Sequence, residues 1–391
     1  MKKELLHTNV QNFIQENLSE DPTKLILKGS PFENISIQEL VEQIVSKKKC
    51  QKKLPTWFET ENIYYPNKIN IEQTSSEIAA NFKSNLVSGN SLIDITGGFG
   101  VDSYYFSKKI KQVVHCEISP ELSEVVAYNL DIFKVNNIQT VTCDGLEFVE
   151  KNTTKYDWIY ADPSRRNETK GKVFLLQDCL PNLPVHLDAL FEKTNHILIK
   201  LSPILDITAS LNELQYVKEV HLVAVQNEVK ELLFLLEKGY QDSISITTVH
   251  IKKESVETFK SLYDSGAEAT FSLPKTYLYE PNPAILKSGL FNDVSHQLKI
   301  DKIQVNSHLY TSNNLVAFPG RSFKITHILS YDKKQLKKII PSQKANITTR
   351  NFPESVAQIR KKIGFKEGGN HYIFFTTNLE NKSIVLICDK I

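Results

Sequence analysis

Apolar residues along this chain follow two different rhythms. Over the first seventy residues they recur at three and four, as in "HTNVQNFIQENL" and "SIQELVEQIVSKKK", which lines one face of a helix. "DPTKLILK" sets an aspartate cap before a proline at the first helical position. Ser36 stands three residues before Glu39, the spacing of a capping box. A polar stretch, "CQKKLPTWFETENIYYPNKIN", leads to a further predicted helix, "EQTSSEIAANFKSNL". From residue 91 the rhythm changes. Short apolar runs, "SLIDI", "QVVHCEI", "IQTVTC", "WIYAD", "HILIKL" and "EVHLVAV", alternate with helical stretches such as "PELSEVVAYNLDIF" and "LPNLPVHLDALFEK". Strands that are apolar on both faces and separated by helices predict a parallel sheet covered on both sides. In "EVHLVAVQNEVKELLFLLE" the last two strands are joined by too few residues for a helical crossover, so the seventh is expected antiparallel to the sixth. Beyond residue 240 the period is mixed and shorter, and a second α/β unit is expected.

Composition narrows the class. A chain of 391 residues, 41% hydrophobic and 24% charged, suits two or three domains with proper cores. No apolar run approaches the roughly 18–20 residues that span a bilayer, and "MKKELLHTNVQNF" has no apolar h-region or cleavage site. Five scattered cysteines, odd in number and without metal-ligand spacing, read as reduced thiols and no metal site. The expectation is a cytoplasmic protein. The net charge of +2 hides an asymmetry: residues 241–391 carry 21 Lys/Arg against 13 Asp/Glu, and residues 1–240 carry 26 against 32. A basic back half can supply phosphate contacts, although lysines grouped as in "YDKKQLKKII" also suit a solvated helix face.

Candidate chemistry begins at "SLIDITGGFGVD". Ligands of an open α/β sheet bind beyond the carboxyl ends of its strands, and glycines let the backbone turn sharply and approach a ligand. A dinucleotide fingerprint fails because Ser103 stands where the third glycine belongs, and no Gly-Lys-Ser/Thr follows for a phosphate loop. Asp94 and Asp102 would repel a pyrophosphate. S-adenosylmethionine, with a sulfonium, an amino-acid end and no phosphate, fits better. Its ribose asks for an acid after the second strand, where Glu117 stands, and its adenine amine for a polar group after the third, where Asp144 stands. The fourth strand ends in Asp162-Pro163, next to where the methyl would lie. Asp102 reads equally as a helix cap, His115 as a packed core residue, and Ser75 and Ser76 as caps or as contacts to the methionine end.

The series Asp94-x-Thr96-x-Gly98-x-Gly100-x-Asp102, Glu117, Asp144 and Asp162-Pro163 resembles the class I S-adenosylmethionine-dependent methyltransferases. "EQTSSEIAANFKSNL", "ADPSRRN", "IKLSPILDI" and "YEPNPAILKSGLF" more specifically resemble bacterial methyltransferase-like proteins with a THUMP-like C-terminal domain preceded by a ferredoxin-like segment. The resemblance implies a seven-stranded Rossmann-like core, with Asp94, Thr96, Gly98, Gly100, Glu117 and Asp144 binding the cofactor. It implies RNA, such as tRNA or rRNA, as substrate. The expected organisation is a helical region over 1–70, the Rossmann-like domain over 71–240, a connecting and ferredoxin-like segment over 241–320 and the THUMP-like domain over 321–391.

"DPSRR" departs from the pattern of amino-directed base methyltransferases, which place an aromatic platform after the proline. Asp162 and Pro163 are expected at the reacting centre. Arg165 and Arg166, two of only five arginines, would grip nucleic-acid phosphate or pair with neighbouring acids. Lys200 and Ser202 are expected at the end of the fifth strand facing the same cleft, and Asp206 could cap the next helix. No cysteine stands where a covalent pyrimidine methyltransferase needs its nucleophile; Cys179, in a predicted helix, reads as core. The rival readings are a non-catalytic RNA-binding protein that retains the fold, and a methyltransferase acting on a protein or small molecule.

Overall fold

A computed structural model describes residues 1–165 and 175–391. The chain divides into two compact units, Met1–Glu219 with Lys230–Asp242, and Val220–Val229 with Ser243–Ile391.

The first unit opens with six helices: α1 (Thr8–Glu16), α2 (Pro22–Lys28), α3 (Ile37–Lys53), α4 (Pro55–Glu59), α5 (Lys68–Gln73) and α6 (Glu77–Ser84). Local signals set their ends. Asp21 accepts hydrogen bonds from the Thr23 and Lys24 amides ahead of Pro22. Ser36 and Glu39 form the reciprocal capping box of α3, which satisfies two amides that the helix itself cannot. Leu5, Val10, Ile14, Leu25, Leu40 and Ile44 form one core of this helical region. A second, around Trp57, Tyr65, Phe99, Val101 and Val126, joins it to the sheet.

The sheet is built from β1 (Gly89–Asp94), β2 (Ile110–Glu117), β3 (Ile138–Thr142), β4 (Trp158–Ala161), β5 (His196–Leu201) and β7 (Glu228–Glu237), while most of β6 (Val217–Val225) belongs to the Val220–Val229 segment of the second unit. β2 pairs parallel with β1 and β3, and β4 pairs parallel with β1 and β5. β7 enters antiparallel beside β5, from His196 opposite Glu237 to Leu201 opposite Leu232. Strand order therefore reverses at β1, with β2 and β3 on one side and β4, β5 and β7 on the other. That reversal opens the crevice in which α/β sheets bind ligands. Between strands run α7 (Val101–Phe106), α8 (Pro120–Ile132), α9 (Gly145–Lys151), α10 (Leu187–Lys193) and α11 (Ile207–Glu213). Cys179 is buried as expected, but it lies in a two-residue strand rather than a helix. That segment pairs with Ser164–Arg165, so pairing across chain distance overrides local helical spacing.

The second unit contains the hairpin β8 (Ser245–Ile251) and β9 (Val256–Leu262). Its main sheet has seven strands: β10 (Tyr277–Pro281), β11 (Asp301–Lys302), β12 (Tyr310–Ser312), β13 (Gly320–Leu329), β14 (Asn346–Arg350), β15 (His371–Thr377) and β16 (Ser383–Lys390), in the order β11-β12-β10-β13-β16-β15-β14. Helices α12 (Pro283–Ser288), α13 (Phe291–Leu298), α14 (Lys333–Ile339) and α15 (Val356–Ile363) complete it. One core, around Leu336, Ile359, Ile363, Phe375 and Val385, lies between helices and sheet. No helix among the described residues is long and apolar enough to cross a membrane.

Candidate functional site

β1 ends in Asp94, and the chain then turns through Thr96, Gly97 and Gly98 before α7. Asp94 is buried; it accepts from the Thr96 amide at 3.0 Å and the Ser103 hydroxyl at 2.7 Å. Burial pushes its carboxyl up to about 7, against those two hydrogen bonds and with help from the negative charges of Asp102 and Asp162. Asp94 thus lies beneath the turn and fixes it. Thr96 ties the turn to the end of β4, because its hydroxyl accepts from the Asp162 amide at 2.7 Å. Gly98 (φ +55°) and Gly100 (φ +75°) adopt left-handed conformations that a Cβ disfavours. A Cβ on Gly97 would overlap the His115 ring. His115 is buried in β2 and held neutral, its pKa driven by burial down to about 4. It is a packing residue, as its apolar strand suggests.

Glu117 ends β2. One carboxylate oxygen accepts from the Gly98 amide at 2.9 Å and the other from the Ser119 amide at 2.8 Å. The acid is thereby aimed before any ligand arrives, and each oxygen retains a further lone pair. Asp144 follows β3, is exposed, and caps α9 through one oxygen that accepts from the Leu146 and Glu147 amides. Gly145 lies so close to Ile95 that a Cβ would penetrate its backbone, which holds the start of α9 against the β1 turn. A Cβ on Gly98 would meet nothing nearer than the Thr96 carbonyl, at 3.9 Å. The outer side of the turn is open. Acids and glycine backbone with no lysine or arginine in the turn suit a ligand carrying positive charge and hydroxyls. The residues present fit S-adenosylmethionine.

Asp162 and Lys200 meet where β4 and β5 end, as a close ion pair. About 30% of the Asp162 side chain is exposed and 11% of Lys200. Burial works against the Lys200 charge, but Asp162, Glu231 and Asp102 outweigh it and hold the ammonium strongly protonated. Pro163 is buried. Ser164 is exposed and pairs with Leu180. Arg165 has its backbone opposite Cys179; its side chain and the whole of Arg166 lie outside the described residues. Asp206 caps α11 through the Ala209 amide.

Deeper in the first unit lies a group that the sequence reading only partly anticipated. Lys83 on α6 is fully buried and donates to both oxygens of Glu231, on β7, at 2.7 Å. It also donates to Ser75 at 2.7 Å and stands 3.1 Å from Asp102. Asp102 accepts from Ser75 at 2.8 Å and from the Tyr160 hydroxyl at 2.7 Å. Burial raises the Asp102 carboxyl, but the charges of Lys83 and Lys200 and these hydroxyls reverse the sign and hold it below the ordinary carboxylate range. Asp102 is no cap: α7 starts from Gly100 without a side-chain cap. Ser76 caps α6 through the Ala79 amide, while Ser75 joins the network. Lys83, Tyr160 and Glu231 escaped sequence reasoning. A signal existed, since a glutamate inside "KELLFLLE" breaks an apolar strand and requires a cation.

Known proteins bear on the whole arrangement. Residues 320–390 match a family model described as THUMP domain-like, and residues 277–319 one described as a ferredoxin-like domain. The solved structure of a presumed methyltransferase from Porphyromonas gingivalis W83 is similar over 100% of this chain and 98% of its own, at 28% identity and a TM-score of 0.88. An uncharacterized RNA methyltransferase of Mycoplasma mobile is 24% identical over 96 residues, 25% of this chain and 26% of that protein. The chain thus matches only about a quarter of that curated relative. Its core has the class I methyltransferase fold, with a THUMP-like module at the C-terminus.

Proposed function

We propose that this chain, a class I methyltransferase core joined to a THUMP-like module, transfers a methyl group from S-adenosylmethionine to RNA. One observation carries the reading. Among the adjacent parallel strands β3, β2, β1 and β4, β2 ends in Glu117 and β1 in Asp94, and Asp144 and Asp162 follow β3 and β4, at one edge of the sheet around an open glycine turn. The RNA part draws on the THUMP-like module, the Mycoplasma mobile relative and the +8 balance of residues 241–391.

In this reading Glu117 takes the ribose hydroxyls, its two oxygens already aimed by the Gly98 and Ser119 amides. Asp144 turns its free oxygen to the adenine amine, and the Gly98–Gly100 backbone passes beside the sugar. Asp94 and Thr96 position the turn from below. The cofactor supplies an electrophilic methyl on sulfur, and the protein's main contribution is to hold an acceptor in line with it. Asp162, partly exposed and tied to Thr96 of the turn through its amide, meets the acceptor. Arg165 and Arg166, which follow Asp162-Pro163-Ser164 in the sequence, are assigned to phosphate. Incubating the purified protein with radiolabelled S-adenosylmethionine and, separately, total RNA, total protein and a metabolite extract tests the assignment. Label in RNA supports it; label only in protein or metabolites, or none anywhere, overturns it.

A further inference from the structure

Five charged side chains from five separate elements gather on the Asp162 side of the turn: Lys83 from α6, Asp102 from α7, Asp162 from the end of β4, Lys200 from β5 and Glu231 from β7. Lys83 pairs with Glu231 and with Asp102 on the inside, and Lys200 pairs with Asp162 on the outside; the charge of Asp102 also acts on Asp162 and Lys200. The pairs are close enough that Glu231 also acts on Lys200, and Lys83 on Asp162. Lys83 and Glu231 are shut away, at 0% and 3% side-chain exposure, whereas Asp162 and Lys200 reach solvent. Burying two ion pairs is costly and seldom favoured for stability alone. A buried pair that backs a second, accessible pair is instead a way to fix the orientation and charge of the outer one.

We propose that the outer pair accepts the 2′-hydroxyl of an RNA ribose, with Asp162 as base and Lys200 as the ammonium beside it, and with Lys83 and Glu231 as positioning residues. This inference rests on the methyltransferase reading above. An alcohol is weakly acidic, so it requires what an amine does not: a base to remove its proton and a cation to stabilise the oxygen as negative charge develops. Asp162 and Lys200 supply both from one ion pair. A base amine would instead call for an aromatic surface to hold the flipped base, and Pro163 and Ser164 provide none. A pyrimidine carbon would call for a thiol nucleophile, and Cys179 is buried in the ribbon beyond.

In the step itself, the acceptor oxygen forms its bond to the methyl carbon as the carbon–sulfur bond breaks. The bonding pair stays on sulfur, which becomes a neutral thioether. The hydroxyl proton passes to Asp162 and from there to water. Burial lifts the Asp162 carboxyl above its ordinary range, against the pull of Lys200, which strengthens it as a base. Lys83 also lowers it, so the inner pair tunes the outer one.

The test uses the full-length protein, radiolabelled S-adenosylmethionine and total RNA from cells that lack the gene, with digestion to nucleosides and mass spectrometry. A 2′-O-methylated nucleoside, absent when DNA or 2′-deoxy substrate replaces RNA, is the expected result. A base-methylated nucleoside overturns this inference and leaves the proposed function standing. No label in RNA overturns both. Asp162→Asn and Lys200→Met should each lower transfer at least about a hundredfold with cofactor affinity by calorimetry within about threefold of wild type. The positioning role has its own readout: in the Lys83→Met/Glu231→Leu protein, carbon-13 NMR of the ligand-free enzyme should show Asp162 titrating at higher pH than in wild type. The activity limb should move with it. An unmoved Asp162 in a folded double variant would refute the role given to the inner pair.

Discussion

Each unit buries one glutamate against cations, and the two arrangements serve different ends. In the first unit Glu231 meets Lys83, both almost without solvent contact, and the pair continues through Ser75 and Asp102 to the edge where the acids collect. In the second unit Glu280, 4% exposed, is gripped by Arg321 and Arg350, whose side chains remain 43% and 33% exposed. Arg360 donates to the Ala345 carbonyl at 3.2 Å. Arg321 and Arg350 are therefore engaged with Glu280 and Arg360 with a backbone carbonyl, so under the proposed RNA reading phosphate contact would fall to the lysines of this unit. Net charge counted along a sequence does not distinguish these uses. Partner geometry does.

Breaking the two glutamate sites should give unequal losses. Lys83→Met leaves Glu231 buried and unpaired, and should destabilise by about 3–5 kcal/mol in urea denaturation. Replacing both, Lys83→Met with Glu231→Leu, should recover part of that stability, since Glu231 no longer needs a partner while Asp102 still loses the Lys83 ammonium. At Glu280 the arginine heads can turn to water, so Glu280→Gln should cost about 1–3 kcal/mol. If the Glu280 variant proves the more damaging, the contrast between a sealed and a solvated pair is wrong.

Asp94 sharpens the comparison through pH. Its carboxyl is raised from an ordinary 3.8 to about 7 in the folded chain. The folded state thus binds this proton more tightly than the unfolded one. The stabilisation is complete below about pH 4, declines as pH rises and is gone above about 7. The ligand-free wild type should lose thermal stability across that window relative to Asp94→Asn, in which the group cannot ionise. A constant difference in melting temperature from pH 4 to 7.5 would contradict the raised value.

In the second unit the smallest effect is expected on RNA. Lys333, Lys334 and Lys338 are exposed on α14. Changing all three to glutamine should weaken RNA binding modestly and flatten its salt dependence by about one unit of slope for each phosphate no longer neutralised. Filter binding at several salt concentrations reads this directly. An unchanged slope would assign α14 to the solvated face that "YDKKQLKKII" equally suggests.

What the sequence made legible follows from where the information lies. Asp94, Glu117, Asp144 and Asp162 could be placed at strand ends because each ends an apolar run, and parallel pairing brings such ends to one edge without further instruction. The caps at Asp21, Ser36 and Asp206 are local, fixed within three residues. Lys83 and Glu231 are separated by 148 residues, and nothing near either names the other. Asp102 looked like a cap because caps are local; its actual partners come from α6 and β4. Lys200 was placed at the right strand end, but its union with Asp162 depends on β4 and β5 being neighbours, which order along the chain only suggests. The Arg165 side chain and Arg166 lie outside the described residues, so the choice between phosphate and neighbouring acids for them rests on the sequence alone.

Titration of the purified full-length protein with S-adenosylmethionine by isothermal calorimetry tests the central claim most directly, with Glu117→Ala and NAD as comparisons. The account predicts one saturable site in the wild type, binding weakened about tenfold or more in Glu117→Ala as the ribose acceptors are lost, and no competition from NAD. Absence of binding by S-adenosylmethionine, or tighter binding of NAD, would contradict it.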